Sequence, residues 1–268
     1  MAVEPLPKIT VSESLDPTDA GIPVEFNSSV SGGTPFYNYS WYIAGYGYVG
    51  YQKDLAYIFS QPGYYNVTVR VTDGSGNSAS ASILARVNGL PSVTIHAEYP
   101  NIDPNVTDSF SANVTGGTPS FNYTWYVSGS PAGNGNSLAY SFPSPGVYVV
   151  RITVTDSLGQ SASYVTDITV AAYPNASIIA SSTDLDANVS DQFRASGFGG
   201  IGPYGYEWII AGHEFGNSTV SYAFRTPGNY SVQLIISDSF GKDASTSMTV
   251  DVRPDPTVSV SWSGKPVV

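Results

Sequence analysis

SGGTPFYNYSW, residues 31–41, returns nearly verbatim as TGGTPSFNYTW at 115–125 and in weaker form as GFGGIGPYGYEW at 197–208. Working outward, the same spacing carries other landmarks. Trp41, Trp125 and Trp208 are 84 and then 83 residues apart, as are the second glycines of the pairs, Gly33, Gly117 and Gly200. The Pro-Gly pairs Pro62-Gly63, Pro145-Gly146 and Pro227-Gly228, and the aspartates Asp73, Asp156 and Asp238, keep intervals of 83 and 82. A period held by independent landmarks marks a tandem array, so one unit must be explained rather than three.

Within the first unit, a short strand is expected around Ile9-Thr-Val, followed by a loop holding Asp16, Pro17, Asp19, Gly21 and Pro23. The next strand alternates Val24, Phe26, Ser28 and Val30 with Glu25, Asn27 and Ser29, the period-two pattern of a strand with one buried face. After Gly32-Gly33 and the Thr34-Pro35 turn, Tyr37, Tyr39 and Trp41 share a face. A short strand over 55–59 and the Pro62-Gly63 turn lead to a longer one, with Tyr65, Val67, Val69 and Val71 inward and Asn66, Thr68 and Arg70 outward. Asp73-Gly-Ser-Gly makes a hairpin turn whose carboxylate can accept backbone N–H groups, and a last strand near 79–87 closes the unit. Strands at this spacing with a tryptophan on the third describe an immunoglobulin-like sandwich of two antiparallel sheets. Trp41, Trp125 and Trp208 are its expected core anchors.

The composition agrees. Of 268 residues 12% are charged and 13% aromatic, with 27 Gly and 19 Pro, an all-β and turn-rich usage. The net charge of -11 would repel a phosphate backbone, which excludes nucleic acid as a natural partner. With no cysteine, disulfide scaffolds, Cys-ligated zinc and thiol catalysis are excluded together. No apolar run reaches the length of a membrane span, and MAVEPLPKIT lacks the features of a secretory signal. His96 and His213 occupy non-equivalent positions outside any nucleophile motif, and the recurring acids read as turn residues, so no catalytic constellation is expected.

The Gly-Gly-Thr-Pro segment ending in Tyr-x-Trp, the Pro-Gly-x-Tyr strand and the Val-x-Val-x-Asp turn make each unit resemble a PKD domain, the immunoglobulin-like module of the polycystic kidney disease protein. That resemblance implies surface-layer and envelope proteins of archaea, polycystin ectodomains, or accessory domains of secreted hydrolases. Many members carry Asp-Phe-Gly-Asp-Gly after the tryptophan; here those positions begin Tyr42-Ile43-Ala44-Gly45, Tyr126-Val127-Ser128-Gly129 and Ile209-Ile210-Ala211-Gly212. Ligand roles attached to the family's aspartates therefore do not carry over.

Three constellations stand out as candidate sites. Asn27, Asn38, Asn66, Asn105, Asn113, Asn122, Asn175, Asn188, Asn217 and Asn229 all begin Asn-x-Ser/Thr sequons. Several fall on the outward phase of strands, where a glycan stays solvated. Asp19, Asp103 and Asp186 recur in the first loop, joined by Asp108 and Asp191, and Asp73, Asp156 and Asp238 recur in the last turn. A first loop facing the next unit would bring Asp19 to Asp156, and Asp103 with Asp108 to Asp238, as candidate inter-domain calcium ligands. The plainer reading has the same acids capping backbone groups. Finally, Tyr42, Tyr46, Tyr48, Tyr51 and Tyr126 lie at or after the third strand, where exposed rings could stack on sugars or meet another chain.

The expected organisation is all-β: three tandem immunoglobulin-like sandwiches over 1–88, 89–172 and 173–253, with 254–268 as the first strand of a fourth. Proline-bearing linkers, Asn88-Gly-Leu-Pro91, Ala172-Tyr-Pro174 and Arg253-Pro-Asp-Pro256, are too short for free tumbling. The expected form is a rod of roughly 100–120 Å at about 3.3 Å per strand residue. The function read from this is a non-catalytic structural, adhesive or spacer segment of an extracellular cell-surface glycoprotein, partnered by other surface proteins or polysaccharide. Alternatives are an accessory binding module of a secreted hydrolase and a protomer that self-associates through sheet edges.

Overall fold

In the computed structural model, residues 5–254, 258–261 and 263–264 are described. Every element among them is a strand, and each repeat supplies eight. The first repeat forms β1 (Lys8–Glu13), β2 (Thr18–Asp19), β3 (Pro23–Ser31), β4 (Asn38–Ile43), β5 (Gly47–Gly50), β6 (Leu55–Ile58), β7 (Gly63–Thr72) and β8 (Ser78–Asn88). The second forms β9 (Ser92–Ala97), β10 (Asn101–Ile102), β11 (Thr107–Thr115), β12 (Asn122–Val127), β13 (Ser130–Asn134), β14 (Ser137–Ser141), β15 (Gly146–Thr155) and β16 (Ser161–Val170). The third forms β17 (Asn175–Ile179), β18 (Asp184–Asp186), β19 (Ser190–Phe198), β20 (Gly205–Ile210), β21 (His213–Phe215), β22 (Thr219–Ala223), β23 (Gly228–Ser237) and β24 (Asp243–Arg253).

Each repeat folds its eight strands into a three-stranded and a five-stranded sheet with one shared order. In the first these are β1-β3-β6 and β2-β8-β7-β4-β5, and the other two repeats follow position for position. The first strand of each repeat thus divides between the sheets. Its opening half pairs antiparallel with the second long strand, whereas its closing half, β2, β10 or β18, pairs parallel with the last strand of the repeat. The residues group into two compact units, one of Met1–Glu98, Ser109–Ala139 and Val149–Thr166, the other of Tyr99–Asp108, Tyr140–Tyr148 and Asp167–Val268.

In the first unit, the alternation read from β7 is the observed one: Val67, Val69 and Val71 are buried and Asn66 and Arg70 exposed. Trp41 lies opposite Val69 across the β4–β7 ladder, has no exposed surface and packs 6.3 Å from the Phe26 ring. Its indole N–H donates to the Gln52 carbonyl at 2.9 Å, so the one polar atom of the core anchor is satisfied. Trp125 repeats this against Phe110 and the Gly135 carbonyl. In the second unit, Trp208 donates to the Asn217 carbonyl at 2.8 Å within a core of Phe193, Val232, Leu234 and Ile236. The tyrosine that follows each Pro-Gly pair pins its turn: the Tyr65, Tyr148 and Tyr230 hydroxyls donate to the carbonyls of Gln61, Ser144 and Thr226, each four residues back.

Two sequence expectations need correction. Asp19 and Asp186 do not lie in an irregular loop but on the short strands β2 and β18, with Asp103 directly after β10. Asp108 and Asp191 lie in β11 and β19. The anticipated strand over 254–268 is not formed at 254, 258–261 or 263–264; the remainder lies outside the described residues.

Candidate functional sites at the repeat junctions

The Gly-Gly pairs hold the entering chain against each repeat. Gly116 and Gly117 both have φ of +68°, and the Gly117 N–H donates to the Gly89 carbonyl at 2.7 Å. The same link runs from Gly33 to Pro5 at 2.7 Å. Only glycine takes this path without strain, and here it also lets two backbones approach closely.

Next to each pair stands the turn aspartate, built alike three times. Asp73 Oδ1 accepts the N–H groups of Ser75 and Asn77 at 3.0 and 2.8 Å. Asp156 accepts those of Leu158 and Gln160 at 3.0 and 2.9 Å, and Asp238 those of Phe240 and Lys242 at 3.0 and 2.9 Å. The second oxygen of Asp73 takes the Thr34 N–H at 3.1 Å and that of Asp156 the Thr118 N–H at 3.2 Å. Burial alone would raise the Asp73 carboxyl, but these donors hold it below the ordinary carboxylate value.

The structure brings Asp19 to Asp156 and Asp103 to Asp238. At the first junction Asp19, fully buried, accepts the Thr118 hydroxyl on Oδ1 at 2.7 Å. The Asn88 amide donates to that hydroxyl at 2.9 Å. Asp19 Oδ2 is buried and meets no N–H or O–H donor among the described residues. Burial, then the neighbouring Asp156 carboxylate, pushes the Asp19 carboxyl up to about 6. Asp156 moves the other way: although burial opposes it, the bond from Asp19 and the backbone donors hold it below its ordinary value. At the second junction Asp103, equally buried, meets no donor on either oxygen among the described residues and is likewise pushed up to about 6, by burial and then by Asp238. Asp108 and Asp191 accept backbone N–H groups of their own repeats, from Tyr99 at 3.2 Å and Ser182 at 3.4 Å. Among the described residues no group of three or more His, Cys, Asp or Glu is disposed to hold a metal ion.

Thr118 was not singled out from sequence because a Thr-Pro after Gly-Gly reads as a turn. It is the hinge of the first junction, its N–H on Asp156 and its hydroxyl on Asp19. Thr118→Val keeps the shape and removes the hydroxyl, leaving Asp19 Oδ1 and the Asn88 amide unpartnered. The expected loss, read by chemical denaturation of the whole chain, is about 1–3 kcal/mol.

A model of one family, described as the PKD domain, matches residues 8–85. The first repeat is thus similar to a PKD domain. The second and third share its strand order, buried tryptophan and turn aspartate. No curated protein matches the chain. Among solved structures, the three N-terminal domains of the bacteriophage RB49 highly immunogenic outer capsid protein superpose with a TM-score of 0.54 at 12% identity, over 93% of this chain and 100% of that one. The titin I-band fragment I67–I69 reaches 0.47 at 14% identity, over 94% and 99%. A fragment of a bacterial ice-binding adhesin reaches 0.43 at 17%, over 94% and 99%. At 12% identity the likeness to the capsid-protein domains is one of fold, that of tandem immunoglobulin-like domains.

All ten sequon asparagines are exposed. On the first repeat, Tyr42, Tyr46, Tyr48 and Tyr51 are 41%, 50%, 56% and 69% exposed; Tyr46 packs against Tyr57 and Tyr65. On the second, Tyr126 is half-buried with the Arg151 guanidinium 4.2 Å over its ring. His96 and His213 are both exposed.

Proposed function

We propose that this chain is a non-catalytic structural and adhesive spacer segment of an extracellular cell-surface glycoprotein, of surface-layer type, built from three PKD-like repeats over 1–88, 89–172 and 173–253. The observation that carries the reading is the solvent-facing placement of all ten sequon asparagines. Asn27 lies between buried Phe26 and Ser28, and Asn66 next to buried Val67, so a glycan at either leaves the packing untouched. Few charges and a sugar coat suit a surface meant to persist outside a cell. The test is glycopeptide mass spectrometry on the fractionated native source. The expected result is occupied sequons on peptides of the envelope fraction; unmodified peptides confined to the cell interior would overturn the reading.

A second reading, an accessory binding module of a secreted hydrolase, is favoured by the exposed tyrosines of the first repeat. Tyr42 and Tyr48 meet edge to face at 5.8 Å, and Tyr51 is also exposed. Tyrosine offers both a stacking face and a hydroxyl to a pyranose. Binding of an insoluble polysaccharide that vanishes in Tyr48→Ala/Tyr51→Ala would favour it over the envelope reading.

A further inference from the structure

The two junctions differ in a way that isolates what holds them. At the first, Asp19 faces the Asp156 carboxylate from the β15–β16 turn, Thr118 from the β11–β12 connection, and Asn88 from the end of β8. At the second, the positions of Thr118 and Asn88 are taken by Ile201 and Ala171, which have no polar side chain to offer. Asp103 there faces Asp238 and, more weakly, Lys242 of the same turn. Hydroxyl and amide are gone, yet the aspartate pair persists, with Asp103 wholly buried and Asp238 nearly so.

We propose that each junction is closed by one proton held between two aspartates, Asp19 with Asp156 and Asp103 with Asp238, so that neighbouring repeats lock in mild acid and loosen above neutral pH. Two ionised carboxylates facing each other out of water repel, and neither can donate to the other. One proton turns the pair into a donor and an acceptor, the strong charge-assisted kind of hydrogen bond. The geometry says which member carries it. Asp156 is surrounded by N–H donors on both oxygens, which suits the ionised form. Asp19 has Oδ1 committed to the Thr118 hydroxyl and Oδ2 buried without a donor. The proton therefore sits on Asp19 Oδ2 and is donated to Asp156. At the second junction the unpartnered oxygens are both of Asp103 and Oδ2 of Asp238, so Asp103 carries the proton and Asp238 Oδ2 accepts it. Asp186, at the matching place on the third repeat, is exposed and serves as the internal control.

The sign follows from the shifts already given. Asp19 and Asp103 rise from 3.8 to about 6, so the folded chain keeps a proton that the unfolded chain releases. The stability they contribute is fully present below about 3.8, declines as pH rises, and is lost once pH passes about 6. Asp156 is lowered, so its contribution is present above 3.8 and is lost as pH falls through its own lower value. The first junction is accordingly tightest near the unfolded aspartate value of 3.8 and loosens steadily as pH rises from there through about 6.

The test uses the whole chain, which has no cysteine to interfere with labelling. Carboxyl carbon NMR titration of the unmodified protein should place Asp19 and Asp103 well above the other aspartates, Asp186 included. Spin labels on Ser80→Cys and Ser130→Cys should give a narrow distance distribution at pH 5 and a broader one at pH 8. Asp19→Asn supplies an N–H donor that cannot titrate, and should keep the distribution narrow at both pH values; Asp19→Ala should broaden it at both. Ordinary titration of Asp19 and Asp103 would overturn the proposal without recourse to any variant. So would a distribution indifferent to pH, an Asn variant that behaves like the Ala variant, or a narrow distribution restored at pH 8 by millimolar calcium, which would make the pair a cation site instead.

Discussion

Trp41→Ala or Trp208→Ala lowers the stability of its own repeat by about 3–5 kcal/mol, the range for truncating a buried aromatic residue. Against the roughly 5–15 kcal/mol that holds a domain of this size, such a loss unfolds the repeat or nearly does so. Each indole is fully buried and fills the space between the two sheets. Each also satisfies a carbonyl, of Gln52 or Asn217, that alanine leaves without its donor. Denaturant unfolding monitored by far-ultraviolet circular dichroism should show a separate early transition for the altered repeat. A curve that overlays the parent's would remove tryptophan from the centre of the sandwich.

Gly116→Ala is the second large effect. A methyl group there would stand 2.3 Å from the Leu90 carbonyl oxygen and 3.1 Å from that of Gly89, on a backbone with φ of +68°. The obstacle is main chain, so no side chain can swing aside, and the linker entering the second repeat must move. The conformational penalty of about 1–2 kcal/mol and an overpacking penalty of about 1–3 kcal/mol act together. Gly76→Ala separates the two, because its φ is +87° but nothing lies within 4 Å of the added carbon. Thermal melting should show Gly116→Ala as the more damaging by several degrees; equal melting would mean that close approach contributes nothing.

What could be read in advance follows from how many residues carry each signal. β3, β4 and β7 declare themselves because six to ten residues alternate and a tryptophan marks the third strand. β2 and β10 have two residues each, and two residues have no period, so the segments carrying Asp19 and Asp103 looked like loop. The Gly45-Tyr-Gly-Tyr-Val-Gly50 region after Trp41 hid β5 for a similar reason, since glycines interrupt its pattern. At the junctions, the recurrence of Asp19 and Asp103 in a first segment expected to face the next repeat, and of Asp156 and Asp238 in the last turn, suggested that the pairs could meet. The roles within each pair were not legible, because they depend on donors supplied from elsewhere: Thr118, Asn88 and the turn N–H groups. Asp108 illustrates the opposite hazard, an acid grouped with its neighbours by sequence whose place is inside β11.

The division of each first strand between two sheets also fixes an order of events in time. β2 pairs only with β8, and Thr18 lies opposite Val87, so nearly the whole repeat must exist before that ladder can form. Closing so long a loop costs entropy before any contact repays it, and sheets built from distant strands fold slowly for that reason. On a growing chain β1 can pair with β3 as soon as that strand emerges, whereas β2 waits through β3 to β7, and the arrival of β8 completes the unit. The aspartate at the end of β2 waits longer still, since its partner belongs to the turn between the last two strands of the following repeat. Each repeat is finished by its own last strand, and each junction only when the next repeat is nearly complete.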